Sequence, residues 1–272
     1  MVVYPAVELV RASLGRYSIT GLYQGAVGLR NYARLLDQEA LPTVVANTVT
    51  WVALVVGVTI VISLGLAQLL NAAFPGRRLV RWALIVPWAA ALIMTAKLFA
   101  WLYDYYFGLI NRALVAAGVL RAPVDWLGDD RAVMGAMIAV GVFVSLPFTT
   151  YVLLAGLETI PGEVYEAARV DGASGWRAYR GITLPLLRPA LLVASVLNII
   201  YVFNSFPIVY TLNDRNPGFA HDTTITFMYK LAFKSAEKSV GMSAAAGVFN
   251  VLLILVVVVV YLRTVKWQEE PA

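Results

Sequence analysis

The residues best suited to chemistry lie in one short stretch. It reads Glu166-Ala167-Ala168-Arg169-Val170-Asp171-Gly172-Ala173 and continues to Ile182-Thr183-Leu184-Pro185. It is a charged island between two uncharged runs, 132–157 and 189–213. A polar loop of this length between two membrane-length segments reads as a docking plug for a separate, soluble protein. Pro161 suits the first turn of a helix, where its missing N–H costs nothing. Glu163 and Glu166 near that end complement the helix dipole. Val164, Ala167 and Ala168 share a face, and the two alanines keep it thin enough for close approach. Gly172 tolerates the left-handed geometry that ends a helix. Ser174 can cap a second short helix carrying Trp176 and Tyr179, which Pro185 and Pro189 stop before the next span. The result is a helix–turn–helix elbow lying across a membrane face. For Glu-Ala-Ala alone, an ordinary surface loop with an accidental pattern is the simpler reading.

A second group could bind a polar solute at membrane depth. Asn198, Tyr201, Asn204 and Ser205 recur at i, i+3, i+6 and i+7, nearly one helical face. Their amides and hydroxyls suit sugar hydroxyls, and Tyr201 offers a flat ring. Helix–helix hydrogen bonding explains the same stripe. Lys97 is the one charge inside a span, so it is either functional or snorkels from the outer third. Pro87, Pro147 and Pro207 place a proline in each of three consecutive spans as candidate gating kinks. Trp88, Phe148 and Tyr151 read as packing. His221 and Asp222 fall in an expected outer loop, where they could touch a partner.

The elements that position these residues follow from hydropathy. Uncharged or nearly uncharged segments of spanning length cover about 43–70, 80–103, 132–156, 190–212 and 241–262. Backbone polar groups in lipid must be satisfied internally, so these five spans are expected to be helices. Residues 1–14 are too short and too charged to span, and read as the outer tail of a helix whose beginning is absent. Within 15–42, Leu29, Tyr32, Leu35 and Leu36 suggest a short amphipathic surface helix. The division expected is 1–42 as a partial first helix plus external segment, and 43–272 as a membrane core carrying the loop 157–189. Residues 104–131 and 213–240 are expected to be polar loops.

Composition agrees. The chain is 60% hydrophobic and 14% charged, with mean hydropathy +0.76. Soluble domains carry roughly a quarter charged residues. The net charge of +5 is scattered and forms no run suited to nucleic acid. There is no cysteine and one histidine, which excludes thiolate and multi-histidine metal sites. No Gly-x-x-x-x-Gly-Lys-Ser/Thr loop, His-Glu-x-x-His or Gly-x-Ser-x-Gly is present, so no nucleotide-binding or catalytic residue is assigned. Charge counting does not orient the chain. The loops 71–81, 157–189 and 263–272 together hold nine Lys/Arg against eleven on the other side.

Taken with its fixed offsets to Gly172, Ile182, Leu184 and Pro185, the stretch resembles the cytoplasmic "EAA" loop of binding-protein-dependent ABC importer permeases. Flanking segments agree: Tyr4-Pro5 with Ser13-Leu14, Gly28-Leu29-Arg30-Asn31-Tyr32, and Gly108-Leu109-Ile110-Asn111. The resemblance covers nearly the whole chain and points to the carbohydrate subgroup, of maltose and glycerol-3-phosphate type. Thr211 to Gly218 departs from the Thr-Gly-Gly-Pro stretch that the subgroup often has, which weakens any assignment of a particular sugar.

The resemblance implies an all-α integral membrane fold, that of a type I ABC importer transmembrane domain, with five full transmembrane helices and a truncated first one. It implies a multi-pass protein of the plasma or inner membrane with the 157–189 loop cytoplasmic. The implied partners are a second homologous permease forming a heterodimer, two cytoplasmic ATPase subunits holding ATP and Mg, and an extracytoplasmic solute-binding protein. Glu163, Glu166, Ala167, Ala168, Asp171, Gly172, Ala173, Ile182, Leu184 and Pro185 would form the ATPase-coupling surface. Closure of the ATPase pair would rock the helices between inward- and outward-open states. The same architecture could carry a phosphate ester, though only Lys97 offers a cation near the path. An ATP-independent transporter would want carboxylates at membrane depth, and the five spans contain none.

Overall fold

A computed structural model describes residues 3–214, 216, 218–235 and 238–264, the side chain of Pro87 excepted. In chain order the elements are α1 Val3–Ser13, β1 Gly15–Tyr17, β2 Tyr23–Ala26, α2 Arg30–Leu36, α3 Leu41–Asn71, α4 Arg77–Trp88 and α5 Leu92–Leu102. There follow α6 Leu109–Ala116, α7 Val133–Glu158, α8 Gly162–Val170, α9 Gly175–Ala178, a π turn Tyr179–Thr183 and α10 Leu184–Leu186. The chain continues with α11 Arg188–Phe203, α12 Phe206–Leu212, α13 Thr224–Phe233 and α14 Val240–Thr264. Among the described residues three helices (α3, α7 and α14) are long and apolar enough to cross a membrane, and α11 reaches that length only if joined to the segment Gly175–Leu186, from which it is bent by 63°. At 1.5 Å per residue, the 25 residues of α14 extend about 38 Å, beyond the roughly 30 Å hydrocarbon core.

Two expected spans are interrupted. The second is split into α4 and α5, with Ala91 extended at φ −59° and ψ 135°. The split follows Pro87, which has no N–H to donate to the helical ladder. The proposed kink at that proline's side chain lies outside the described residues. The fourth expected span ends at Phe203 and resumes as α12, with Pro207 in the new helix's first turn. Pro147, in contrast, lies inside an unbroken α7. Of the Thr211–Gly218 departure, Arg215 and Pro217 are outside the described residues.

The helices fall into two compact units, residues 1–51 with 203–272, and residues 52–202. In the first unit α1, α2 and α13 pack on α14. Leu35, Val44, Phe227, Leu231, Met242 and Ala245 form its buried core. Asn31 is buried and donates through Nδ2 to the carbonyls of Ser13 (2.7 Å) and Gly15 (2.9 Å). Its amide nitrogen would lie 2.6 Å from a Cβ built on Gly241, so only glycine lets α14 approach this close. The short helix expected from Leu29, Tyr32, Leu35 and Leu36 is α2, Arg30–Leu36. Gly21, Gly25 and Gly28 take positive φ, giving a β1–β2 hairpin before the seven-residue α2. Leu35 is buried, but Leu29 and Leu36 stay exposed. The expected loop 213–240 also contains a structured helix, α13, with Thr224, Thr226, Phe227 and Leu231 buried. Threonines made this stretch look polar. Here they supply a capping box at Thr223/Thr226, and Thr224 N–H donates to Thr48 Oγ1 at 2.8 Å.

In the second unit, Leu70, Leu153, Leu154, Leu157 and Ala194 from α3, α7 and α11 form a core with Leu187, which joins α10 to α11. Gly156 permits the closest crossing, since a Cβ there would meet Ala190 Cβ at 2.5 Å and Leu187 Cδ1 at 2.9 Å. Asn111 organises the connection after α5. Its amide nitrogen donates to Val124 O (2.9 Å), and its oxygen accepts from Val124 N (3.1 Å) and Trp126 Nε1 (2.8 Å). Crowding predicts the outcome of three glycine substitutions. Gly156→Ala and Gly241→Ala should each cost about 1–3 kcal/mol by overpacking. Gly135→Ala, with nothing within 4 Å, should leave the melting temperature of the detergent-purified protein nearly unchanged. A fluorescence melting series checks all three.

Candidate functional site

The elbow is built from its turn outward. Helix α8 ends with two hydrogen bonds, Ala173 N to Ala168 O (2.9 Å) and Gly172 N to Arg169 O (3.0 Å). This is the Schellman pattern, with Gly172 at φ +75°. Ser174 Oγ then accepts from Arg177 N at 3.4 Å and starts α9. The π turn joins α9 to α10 before the 63° bend. The Tyr165 hydroxyl lies 3.0 Å from Thr183 Oγ1, tying α8 back onto the π turn. Trp176 and Tyr179 stack at 5.7 Å.

The base of the elbow is held by charge. Glu158, at the end of α7, meets Arg81 at 3.3 Å and Arg77 at 3.5 Å. The Tyr151 hydroxyl donates to Arg81 O at 3.1 Å, so Tyr151 serves this junction. The two arginines of this cluster thus read as fasteners between α4 and α7 as well as flanking charges.

The residues singled out in sequence divide into two sets. Glu163, Glu166, Ala167, Asp171 and Gly172 are exposed. Ala173, Ile182, Leu184 and Pro185 are half-buried. Ala168 is buried, so it packs inward and does not share an outward face with Ala167. Pro161 is the residue before α8, at φ −62° and ψ 138°, and does not belong to its first turn. The exposed stripe is Glu163, Glu166, Ala167 and Val170, at i, i+3, i+4 and i+7. Val170 (88%) and Trp176 (69%) are the apolar side chains exposed beside it. Sequence reasoning had not marked Val170, although its helical offset from Glu163 and Glu166 was available.

A second feature lies within the unit formed by residues 52–202. A cavity of about 320 Å³ is lined by Trp88, Val144, Ser145, Phe148, Leu197, Asn198 and Tyr201. Asn198 is buried and donates to Thr149 Oγ1 at 3.3 Å, which is the helix–helix hydrogen bond of the alternative reading. It also lines the cavity, so both readings apply to one side chain. Ser145 Oγ is buried and has no hydrogen-bond partner among the described residues. Trp88 and Phe148, expected as packing, are cavity walls beside Tyr201. None of these lining residues carries a charge. Asn204 and Ser205 do not extend the stripe, because α11 ends before them. Asn204 is exposed and Ser205 is buried. Lys97 is exposed on α5. Among the described residues no group of three or more His, Cys, Asp or Glu could hold a metal ion.

Comparison with known proteins adds an independent line. The family described as binding-protein-dependent transport system inner membrane component matches residues 40–269. A probable ABC transporter permease protein of Brucella suis biovar 1 is 37% identical over 240 residues, covering 88% of this chain and 82% of that protein. The trehalose/maltose transport system permease protein MalF of Thermococcus litoralis is 34% identical over 244 residues, covering 90% and 81%. Among solved structures, a bacterial ABC transporter involved in import of the acidic polysaccharide alginate aligns with a TM-score of 0.83 at 22% identity. It covers 99% of this chain and 91% of that one. At that identity the likeness shows the fold.

The turn geometry gives a local prediction. Gly172→Ala should cost about 1–2 kcal/mol, because a Cβ is penalised at positive φ. Gly175→Ala, in helical α9 with open space around it, should not. Thermal unfolding of the two variants side by side distinguishes them.

Proposed function

Because the chain belongs to the family of inner-membrane components of binding-protein-dependent transport systems, we propose that it is one membrane-spanning half of an ATP-driven importer for a small neutral sugar. The observation that carries the coupling part is the elbow. It presents a carboxylate-bearing stripe outward while Ala168 is buried on its inner side and the Tyr165–Thr183 contact and the Ser174 cap fasten it to the chain. The partner on that stripe is a cytoplasmic ATPase subunit offering basic or backbone donors to Glu163 and Glu166. Ala167 allows close approach, and Val170 and Trp176 supply apolar contact. ATP and Mg belong to that partner. A companion permease forms the other half, and an external binding protein delivers the cargo. The chain resides in the plasma or inner membrane with the 157–189 elbow on the cytoplasmic side.

The uncharged cavity supports the cargo class. Ser145 Oγ and the Asn198 amide suit hydroxyls, and Trp88, Phe148 and Tyr201 provide ring faces for a pyranose. A phosphate ester would want a cation in the lining, and none is there. The similarity to a trehalose/maltose permease favours the same class.

Two measurements on the reconstituted complex test this reading. Glu166→Ala combined with Gly172→Asp should reduce sugar-stimulated ATP hydrolysis at least tenfold. Stimulation that survives both changes would remove the elbow as the point of coupling. Ser145→Ala and Asn198→Ala should raise the half-saturating sugar concentration for uptake several-fold, with ATPase binding unaltered. Equal losses in both assays would show instead that the cavity serves only packing.

A further inference from the structure

The sequence offered His221 and Asp222 as outer-loop residues that could touch a partner. The structure buries Asp222 to 1% exposure, a costly position for a carboxylate unless it is fully paired. Its Oδ1 accepts from Asn213 Nδ2 at 3.0 Å and from Thr226 Oγ1 at 3.1 Å. Its Oδ2 lies 2.8 Å from Lys230 Nζ. Lys230 also donates to Gly218 O at 2.7 Å. Its Nζ lies over the Phe219 ring, 5.8 Å from the centroid. This network forms one wall of a cavity of about 330 Å³ between the end of α12 and the start of α13.

The opposite character is supplied by rings. Phe219 lines the cavity, held edge-on against Phe227 at 5.0 Å. Tyr210 lines it too, held by stacking on Phe206 at 4.9 Å and by Tyr229 at 5.1 Å. Among the described lining residues two carboxylates (Asp214, Asp222) stand against two ammonium groups (Lys230, Lys234). Planar amides and both signs of charge beside fixed aromatic faces are the complement of a polyhydroxyl ring. A metal cation would meet the lysines, and a multiply charged anion would meet the aspartates.

We propose that this cavity is a second sugar subsite of the chain, separate from the one lined by Ser145 and Asn198. It takes a neutral pyranose, with a ring face on Tyr210 and hydroxyls on Asp214 and Lys234, which border the cavity. The Asp222–Lys230 ion pair holds the wall beside them in place. The inference rests on the reading of the chain as a sugar permease.

Photolabelling tests it directly. The complete importer in nanodiscs is exposed to diazirine-bearing maltose and, separately, trehalose, and labelled peptides are mapped by mass spectrometry. The expected result is labelling within 210–235 that excess free sugar removes. Ser235→Trp should reduce that labelling at least tenfold. It fills the cavity from a wall outside the Asp222–Lys230 network, whereas Asn213→Ala, the more direct change, risks misfolding. Labelling around 144–148 and 197–201 should persist in Ser235→Trp. Labelling confined to those two segments in the unmodified protein overturns the second subsite and keeps the transport reading. Labelling of 210–235 that is unchanged in Ser235→Trp overturns it as well. Absence of displaceable labelling anywhere, with either sugar, overturns both.

Discussion

The structure depends on one constraint: in hydrocarbon, a backbone N–H or carbonyl has no water to fall back on. Unbroken helix is the default solution, and α3, α7 and α14 adopt it. Each departure needs local compensation. Between α11 and α12 the Phe206 N–H finds Asn204 O at 2.8 Å. Between α4 and α5 the Thr95 N–H returns to Ala91 O at 3.1 Å, restarting the ladder at once. At the elbow, where the chain leaves the helix for a longer run, the Schellman pair, the Ser174 cap and the π turn take over. The deviations from straight helices are therefore few, short and chemically specified.

That constraint also explains which parts were legible in the sequence. The spans could be read because hydropathy reports burial in lipid directly. The elbow could be read because Gly172 and Ser174 are required by backbone geometry, which acts locally. What escaped was set by distant partners. Asn31 reads as an ordinary polar residue until Gly241, two hundred residues on, is seen to leave room for it. Helix α13 reads as a polar loop because its threonines are counted as hydrophilic. In place, Thr224 bonds Thr48, and Thr226 bonds Asp222. Ala168 looked equivalent to Ala167 because spacing gives a face its members but not its direction. Only Tyr165 and Thr183, meeting across eighteen residues, show which side of α8 turns inward.

Both units leave some buried polar atoms without a hydrogen bond among the described residues. In residues 52–202 the buried hydroxyls of Thr59, Ser145 and Thr150 have no hydrogen-bond partner among the described residues. A serine or threonine in a helix can share a backbone carbonyl of the preceding turn, as Thr149 does with Ser145 O at 2.9 Å. An unpaired one costs about 1–3 kcal/mol. In the other unit Ser205 Oγ, Asp222 Oδ2 and Asn250 Oδ1 are buried without a hydrogen bond as well. Asp222 Oδ2 nonetheless lies 2.8 Å from Lys230 Nζ as an ion pair, and Asn47 and Asn250 donate to backbone carbonyls around it.

For the proposed coupling, stiffness matters more than affinity. A partner seated on α8 can move the membrane helices only if the elbow passes on displacement without bending. The elbow meets that requirement at each joint. The Schellman turn fixes the direction in which the chain leaves α8, and the Tyr165–Thr183 contact closes the two arms into a ring. Leu187, fully buried, and Gly156 lock the bend onto α7. Glu158 then joins α7 to α4 through Arg77 and Arg81. These two ion pairs are half-exposed, so each contributes little to stability. Their position is what counts. They connect α4 and α7 where α7 runs into the elbow, so a motion applied there would reach both helices together.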